Sequence, residues 1–285
     1  MLAIIIPYYK IDYFEETLKS IANQTNKNFT VYIGNDASKD DPTKLIENTL
    51  INLSYKYHYF DKNLGGSNLV AQWDRCINLI DKQEKWFMIL GDDDYLSANF
   101  VDDFYENLND ISNNKSNVVR FAVNKVSDNK ILNRLYTNPK LQTRNDFFFN
   151  KERSSLSEYI FSIESYNKYR FKNIPLAWGA DVLAVFEFAE AYPIFSINTS
   201  TVFVRISDKS ISGTKGNSKM NIIKTNALAE VYYYLFKSYA KNFNSSEMNV
   251  LYNMIKKLYF NNRSNTHKLV IYLKALVLLQ FNKLA

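Results

Sequence analysis

The sequence predicts an α/β fold: a mostly parallel, Rossmann-like sheet flanked by helices, with a helical C-terminal appendage. Three observations carry that expectation. Short β-branched apolar runs alternate with segments of helical periodicity through residues 1–110, the pattern of a parallel sheet with right-handed crossovers. The run Trp86-Phe87-Met88-Ile89-Leu90 stops abruptly at Gly91 and the consecutive acids Asp92, Asp93 and Asp94, as a buried strand does when it delivers polar groups at its carboxyl end. The last quarter of the chain is basic and reads as helices. With 285 residues, 46% hydrophobic and 22% charged, the chain can bury a large core.

Taken in order, Ala3-Ile4-Ile5-Ile6 is a buried first strand, bounded by Pro7 and ending in Pro7-Tyr8-Tyr9-Lys10. Phe14, Leu18, Ile21 and Ala22 recur at helical spacing. Phe29 to Ile33 alternates as a second strand and leads into Gly34-Asn35-Asp36-Ala37-Ser38. Pro42 opens a short helix, Tyr55 to Phe60 makes a third strand, and Asn63-Leu64-Gly65-Gly66-Ser67 turns into a further helix. On that helix Leu69, Trp73, Cys76, Ile77 and Ile80 share one face, so Cys76 reads as core. After the fourth strand a helix is expected from Ser97 to Leu108, then a strand from Val118 to Val123 and a hairpin through Ser127-Asp128-Asn129-Lys130. Thr137 to Arg144 reads as a polar loop. Asp146 reads as the cap of a helix through Phe147-Phe148-Phe149, aromatics that suit either a core or a stacked sugar. Ile197 to Ile206 is β-rich, and helices are expected over Lys219 to Ala240, Ser246 to Phe260 and Thr266 to Leu284.

Composition narrows the chemistry. Cys76 is the single cysteine, so no intramolecular disulfide can form and a reducing compartment fits. With two histidines, zinc clusters and Ser-His or Cys-His machinery are poorly supplied, and acid–base work falls to carboxylates. The net charge of +6 is uneven: from Lys209 onward the chain carries +10, leaving −4 on the first 208 residues. An acidic rim opposes nucleic acid, and none is expected as a partner. The last helix, apolar around much of its circumference but interrupted by Lys268, Lys274 and Lys283, can lie on an anionic membrane or pack on the protein body or a second subunit as a homodimer. There is no uncharged apolar span of the roughly twenty residues a membrane helix needs. Leu2 to Ile6 is too short for a signal peptide's apolar region. The expected location is the cytoplasm, peripheral on the inner membrane face if the tail docks there.

In a parallel sheet ligands bind beyond the carboxyl ends of the strands, which gathers the Pro7 loop, Asp36, the Gly65-Gly66 turn and the acids at 92–94 on one rim. Adjacent acids are tolerated where a cation offsets them, and carboxylate oxygens suit a hard divalent metal. The plain alternative is a solvated acidic turn. The glycine pair can admit a phosphate at a helix N-terminus or simply serve the turn, and Asp36 can equally be a turn residue.

Ile4-Ile5-Ile6-Pro7-Tyr8-Tyr9, Ser20-Ile21-Ala22-Asn23-Gln24-Thr25, Tyr32-Ile33-Gly34-Asn35-Asp36-Ala37-Ser38-Lys39-Asp40 and Gly91-Asp92-Asp93-Asp94 resemble the successive motifs of family-two inverting glycosyltransferases of the GT-A fold, bacterial surface-glycan type. The resemblance covers residues 1–110. It implies a GT-A catalytic domain over 1–215, with a nucleotide-sugar half at 1–110 and an acceptor and base half at 111–215, followed by a basic helical region at 216–285. It implies metal-dependent transfer of a sugar from a nucleoside-diphosphate sugar, UDP-sugar favoured, to a hydroxyl of a glycan or lipid-linked glycan in surface polysaccharide synthesis. Pro7 and Tyr9 fall in the donor pocket, Asp36 at the nucleotide base, Gly66 in the donor turn and Asp92 at the ribose. Asp93 and Asp94 are the metal residues, Asp93 on manganese or magnesium with Asp94 supporting; a literal D-x-D register would instead use Asp92 and Asp94. Asn35 and Ala37 depart from the family's paired aspartates and glycine, which puts the base contacts in question. Asp181 stands where the family has its catalytic base, although it also reads as a helix-capping acid. Trp178 would wall the acceptor site. Arg205 and the loop Ser207 to Asn217 would close over the donor, or serve as a linker to the tail. A nucleotidyltransferase of related fold and a non-catalytic glycan-binding scaffold are the rival readings.

Overall fold

The computed structural model describes residues 1–127, 130–206, 218–261 and 265–282. Strand and helix alternate first: β1 (Leu2–Tyr8), α1 (Phe14–Ala22), β2 (Phe29–Asn35), α2 (Thr43–Thr49), β3 (Tyr55–Tyr59), α3 (Leu69–Ile77) and β4 (Trp86–Ile89). β1 lies between β2 and β4, parallel to both, and β2 is parallel to β3. Then follow β5 (Tyr95–Leu96), α4 (Phe100–Glu106), α5 (Leu108–Asn113), β6 (Val118–Ser127), β7 (Lys130–Tyr136), β8 (Leu141–Gln142), α6 (Arg144–Asn150), β9 (Tyr159–Ser162), α7 (Ile163–Tyr169), α8 (Ala180–Phe188) and β10 (Ile194–Arg205). The sheet runs β3-β2-β1-β4-β9-β6-β10-β5, with β7 beside β6 and β8 beside β10. β9 is antiparallel to both β4 and β6, while β6 and β10 run parallel.

Both faces of this sheet are covered, which is why β1 is an unbroken apolar run rather than an alternating one. Leu2, Ile4 and Ile6 enter one core with Phe14, Leu18, Phe100 and Phe104. Ala3 and Ile5 enter the other, with Trp73, Cys76, Tyr166, Leu183 and Leu235. Phe14, Phe100 and Phe104 are fully buried, each contributing about 1.5–3 kcal/mol relative to exposure. Cys76 is part of this packing: its Sγ would stand 2.4 Å from a Cβ placed on Gly34, so β2 can approach α3 this closely only with glycine there.

The tail forms α9 (Ser218–Ser238), α10 (Ser245–Phe260) and α11 (Thr266–Asn282). The hydroxyls of Tyr234 and Tyr239 donate to the buried Glu187 carboxylate of α8 at 2.6 and 2.8 Å, tying α9 to the sheet's helical layer. Lys268 Nζ donates to Thr225 Oγ1 at 2.7 Å and holds α11 against α9. No helix among the described residues is long and apolar enough to cross a membrane.

Several sequence expectations change. The helix expected from Ser97 to Leu108 is two short helices meeting at Asn107, preceded by the small strand β5 on β10. Thr137 to Arg144 is not wholly loop, because Leu141 and Gln142 pair with β10. The cap of α6 is Thr143, whose hydroxyl accepts the Asp146 N–H at 3.1 Å, so Asp146 lies inside the first turn. Phe147 and Phe148 are buried in the core and offer no face to a sugar. Ser127 pairs with Lys130 as the hairpin requires. Residues 128–129, the loop Ser207 to Asn217 and Lys283-Leu284 lie outside the described residues.

Candidate active site

The carboxyl ends of β1, β2 and β4 open onto a cavity of about 770 Å³. One side is formed by Pro7, Tyr9, Asp36, Gly66, Asp92 and Asp93, the other by residues 151–156, Trp178, Asp181 and Leu228.

The three acids after β4 are not equivalent. Asp92 Oδ2 accepts the backbone N–H groups of Tyr9 and Lys10 at 2.7 and 2.8 Å, which fixes the β1 loop against the end of β4. Asp94 faces away from the cavity: its Oδ2 accepts the Ser157 hydroxyl at 2.5 Å and its Oδ1 the Arg205 N–H at 2.8 Å. Asp93 opens on the cavity, and its carboxylate is met by its own backbone N–H, with the Lys10 and Arg205 charges nearby. Burial and then the Asp93 charge push Asp92 up to about 6 and Asp94 up to about 7. Burial also raises Asp93, with Lys10 and Arg205 pulling it back.

Among the described residues no three His, Cys, Asp or Glu side chains converge into a protein-only metal cage. Magnesium-type sites ask less of the protein, one or two carboxylates with substrate phosphates completing the shell. Asp93, facing the cavity beside Asp92 with only its own backbone N–H as a donor, fits that demand; Asp94, held by the Ser157 hydroxyl and the Arg205 N–H, supports from behind.

Asp36 is buried, and its carboxylate is already occupied. Its oxygens accept the N–H groups of Leu64 and Gly65 at 2.7 and 2.8 Å, and Arg75 is paired with it. The Gly66 N–H is engaged by Asn63 Oδ1 at 2.9 Å, so this turn is held by its own side chains. Ala37, standing where the family pattern has glycine, takes φ 54.

Asp181 lies in the first turn of α8, immediately after an irregular approach. Leu176 and Ala177 adopt φ 57 and 51, and Gly179 takes φ 92. Such backbone is costly for residues with a Cβ, and the strain sits directly on the cavity wall. The Ser154 hydroxyl donates to Asp181 Oδ2 at 2.5 Å. Burial raises Asp181; the Ser154 bond, the Val182 N–H and Lys151 act against the rise, while Glu158 adds to it. Burial likewise brings Lys151 down to about 8, with Asp181 resisting. Lys224 Nζ lies 4.5 Å over the Trp178 ring.

Pro7, Tyr9, Asp36, Gly66, Asp92, Asp93, Trp178 and Asp181 therefore share one cavity. Asp94 and Arg205 do not reach its wall. Arg205 Nε donates to the Asp93 carbonyl at 3.1 Å and its guanidinium pairs with Glu16 and covers Tyr13, so it braces the acid turn from behind. The Thr137 to Arg144 loop is not on the wall either. The loop that is, Lys151-Glu152-Arg153-Ser154-Ser155, escaped the sequence reading, and its only signal was a charged, serine-bearing cluster after the Phe147 run.

The profile of glycosyl transferase family 2 matches residues 3–174. An uncharacterized glycosyltransferase of Rickettsia bellii (strain RML369-C) is 34% identical over 122 residues, 42% of this chain and 16% of that protein, so the chain spans under a fifth of that relative. Among solved structures, S. aureus TarS in complex with UDP superposes with TM-score 0.59 at 16% identity, covering 90% of this chain and 79% of that one. TarS in complex with UDP-GlcNAc gives 0.60 at 15% identity, over 90% and 80%. The mannosyltransferase PcManGT from Pyrobaculum calidifontis, in complex with GDP-Man and Mn2+, gives 0.57 at 13% identity, over 100% and 75%. At these identities what is shared is the fold.

Proposed function

Because this chain belongs to glycosyl transferase family 2 and is a glycosyltransferase of the GT-A fold, we propose that it transfers a sugar from a nucleoside-diphosphate sugar to a hydroxyl of a glycan or lipid-linked glycan, inverting the anomeric centre. The observation that carries this reading is one cavity with a carboxylate open to it, Asp93, on one side and a second acid of raised pKa, Asp181, on the other. The nucleotidyltransferase and scaffold readings lose their ground with the family assignment.

In this mechanism Asp181 takes the proton from the acceptor hydroxyl as that oxygen bonds to the anomeric carbon, and the bond from that carbon to the diphosphate oxygen breaks with its electron pair. A carboxylate lifted above its ordinary pKa is a stronger base near neutral pH than an exposed one. Trp178 offers an apolar wall to the acceptor ring, Asp92 positions the Tyr9 loop, and Pro7, Tyr9 and the Asp36-braced turn receive the nucleoside. A divalent cation, manganese or magnesium, held by Asp93 with Asp92 beside it would neutralise charge on the leaving diphosphate. Relatives of this fold solved with UDP, UDP-GlcNAc, and GDP-Man with Mn2+ support a nucleotide-sugar donor, and we favour a UDP-sugar.

Nucleoside diphosphate release from a panel of UDP- and GDP-sugars, with manganese and with chelator, tests the reading. Release from one donor, dependent on the cation and lost in Asp181→Asn while thermal-shift binding of the diphosphate persists, is the expected result. Indifference to every sugar nucleotide would overturn it.

The tail suggests where the acceptor comes from. Val270, Leu273 and Val277 of α11 are each about half exposed, beside the exposed Lys274, a mixture that suits an anionic membrane surface. We place the enzyme at the cytoplasmic membrane face, acting on a lipid-linked glycan of surface polysaccharide synthesis. Flotation with liposomes containing anionic lipid is expected, while a monomer–dimer shift without flotation would assign the same face to a second copy.

A further inference from the structure

Ser154 touches two groups, and the polarity between them is fixed. Its Oγ lies 2.5 Å from Asp181 Oδ2 and 2.8 Å from the Tyr159 hydroxyl. Tyr159, on β9, is fully buried, and burial with the nearby Glu158 charge keeps its phenol protonated. A buried phenol must donate to something, and Ser154 is the acceptor in reach. Ser154 therefore spends its own proton on Asp181, and the direction runs from Tyr159 through Ser154 to the carboxylate.

We propose that Tyr159 and Ser154 form a positioning relay that clamps Asp181 Oδ2 and leaves Oδ1 as the oxygen that meets the acceptor hydroxyl. Neither residue touches the reacting atoms. The relay is braced on every side. Arg120 Nε donates to Glu158 Oε1 at 2.8 Å, and Arg153 closes on the same carboxylate. The Arg120 guanidinium lies 5.8 Å over the Tyr159 ring. Lys151 Nζ is held by the Phe148 carbonyl at 2.8 Å and completes the charged groups around Asp181. Since Glu158 is bound by Arg120, Arg153 and the Ser155 N–H, it is not free to compete for the Ser154 proton.

This inference rests on Asp181 being the base, and the experiment separates the two. Carbon-13 aspartate labelling, with Asp181 assigned by its loss in Asp181→Asn, reads the carboxyl titration directly. Removing a donor from a carboxylate raises its pKa, so Ser154→Ala is expected to move Asp181 upward by about one unit, with Tyr159→Phe a smaller move in the same direction. Ser154→Thr should restore it. In donor turnover the acid limb of the pH–kcat profile should shift by the same amount, with kcat down about tenfold and donor KM unchanged. An unmoved Asp181 titration in Ser154→Ala, or a loss of kcat that Ser154→Thr does not rescue, overturns the relay. Full activity in Asp181→Asn instead overturns the base assignment, whatever Ser154 does.

Discussion

The Ser157 hydroxyl donates to Asp94 Oδ2 at 2.5 Å, joining residues 63 apart and removing Asp94 from the cavity that its neighbour Asp93 faces. Two adjacent, identical side chains thus have opposite duties. Asp93→Ala should abolish cation-dependent donor turnover with little change in stability. Asp94→Ala leaves the Ser157 hydroxyl and the Arg205 N–H without their acceptor, and should cost roughly 2–4 kcal/mol. Urea unfolding and nucleotide release on the two variants check the contrast; equal destabilisation would refute it.

The acid turn also sets a pH dependence. Asp92 and Asp94 are raised from an ordinary 3.8 to about 6 and about 7, so between those limits the native state binds more protons than the unfolded chain. Their contribution is full below about pH 4 and is lost as pH climbs through 6 and 7. Asp94→Asn cannot titrate there. In chelator, its stability relative to wild type should improve steadily from pH 4 to pH 8, read from urea midpoints; a constant gap would contradict the assignment.

Gly179 holds φ 92 at the entry to α8, and a Cβ there would stand 3.2 Å from Val231 Cγ2. Gly179→Ala is expected to cost about 1–2 kcal/mol and to reduce transfer more than donor binding, because the displaced backbone carries Asp181. Calorimetry with acceptor-dependent kinetics decides it.

Arg75 pairs with Asp36 beneath the 63–66 turn, with its guanidinium 3.9 Å over Phe60. Arg75→Ala leaves a buried carboxylate held by two N–H groups alone. A loss of roughly 2–3 kcal/mol and a raised donor KM are expected, with kcat largely kept. Unchanged donor KM would separate this turn from the donor.

Much of the sheet was legible because β1 and β4 are buried and carry continuous apolar runs while β2 reads as an alternating one, and the parallel rule then places Asp36 and Asp92 on one edge. Only the resembled register set Asp93 apart from Asp94, since what physically divides them is Ser157 and the Arg205 backbone, far away in sequence. The two-residue strand β5 offers no periodicity to read. Thr143 rather than Asp146 caps α6 because both are good caps and only backbone geometry chooses. The 151–156 wall follows a buried aromatic run, lies beyond the motifs at 1–110, and looks like ordinary solvated charge. Asp181 stood out only by its place in the resembled pattern.

Leu228 of α9 forms part of the cavity wall, and the same helix is held to α11 one turn away through Thr225 and Lys268. A single helix thus separates the outer apolar surface from Trp178. Whatever settles on that surface has a short mechanical lever to the interior, and its arrival would register first as a changed acceptor KM, before anything altered at Asp93.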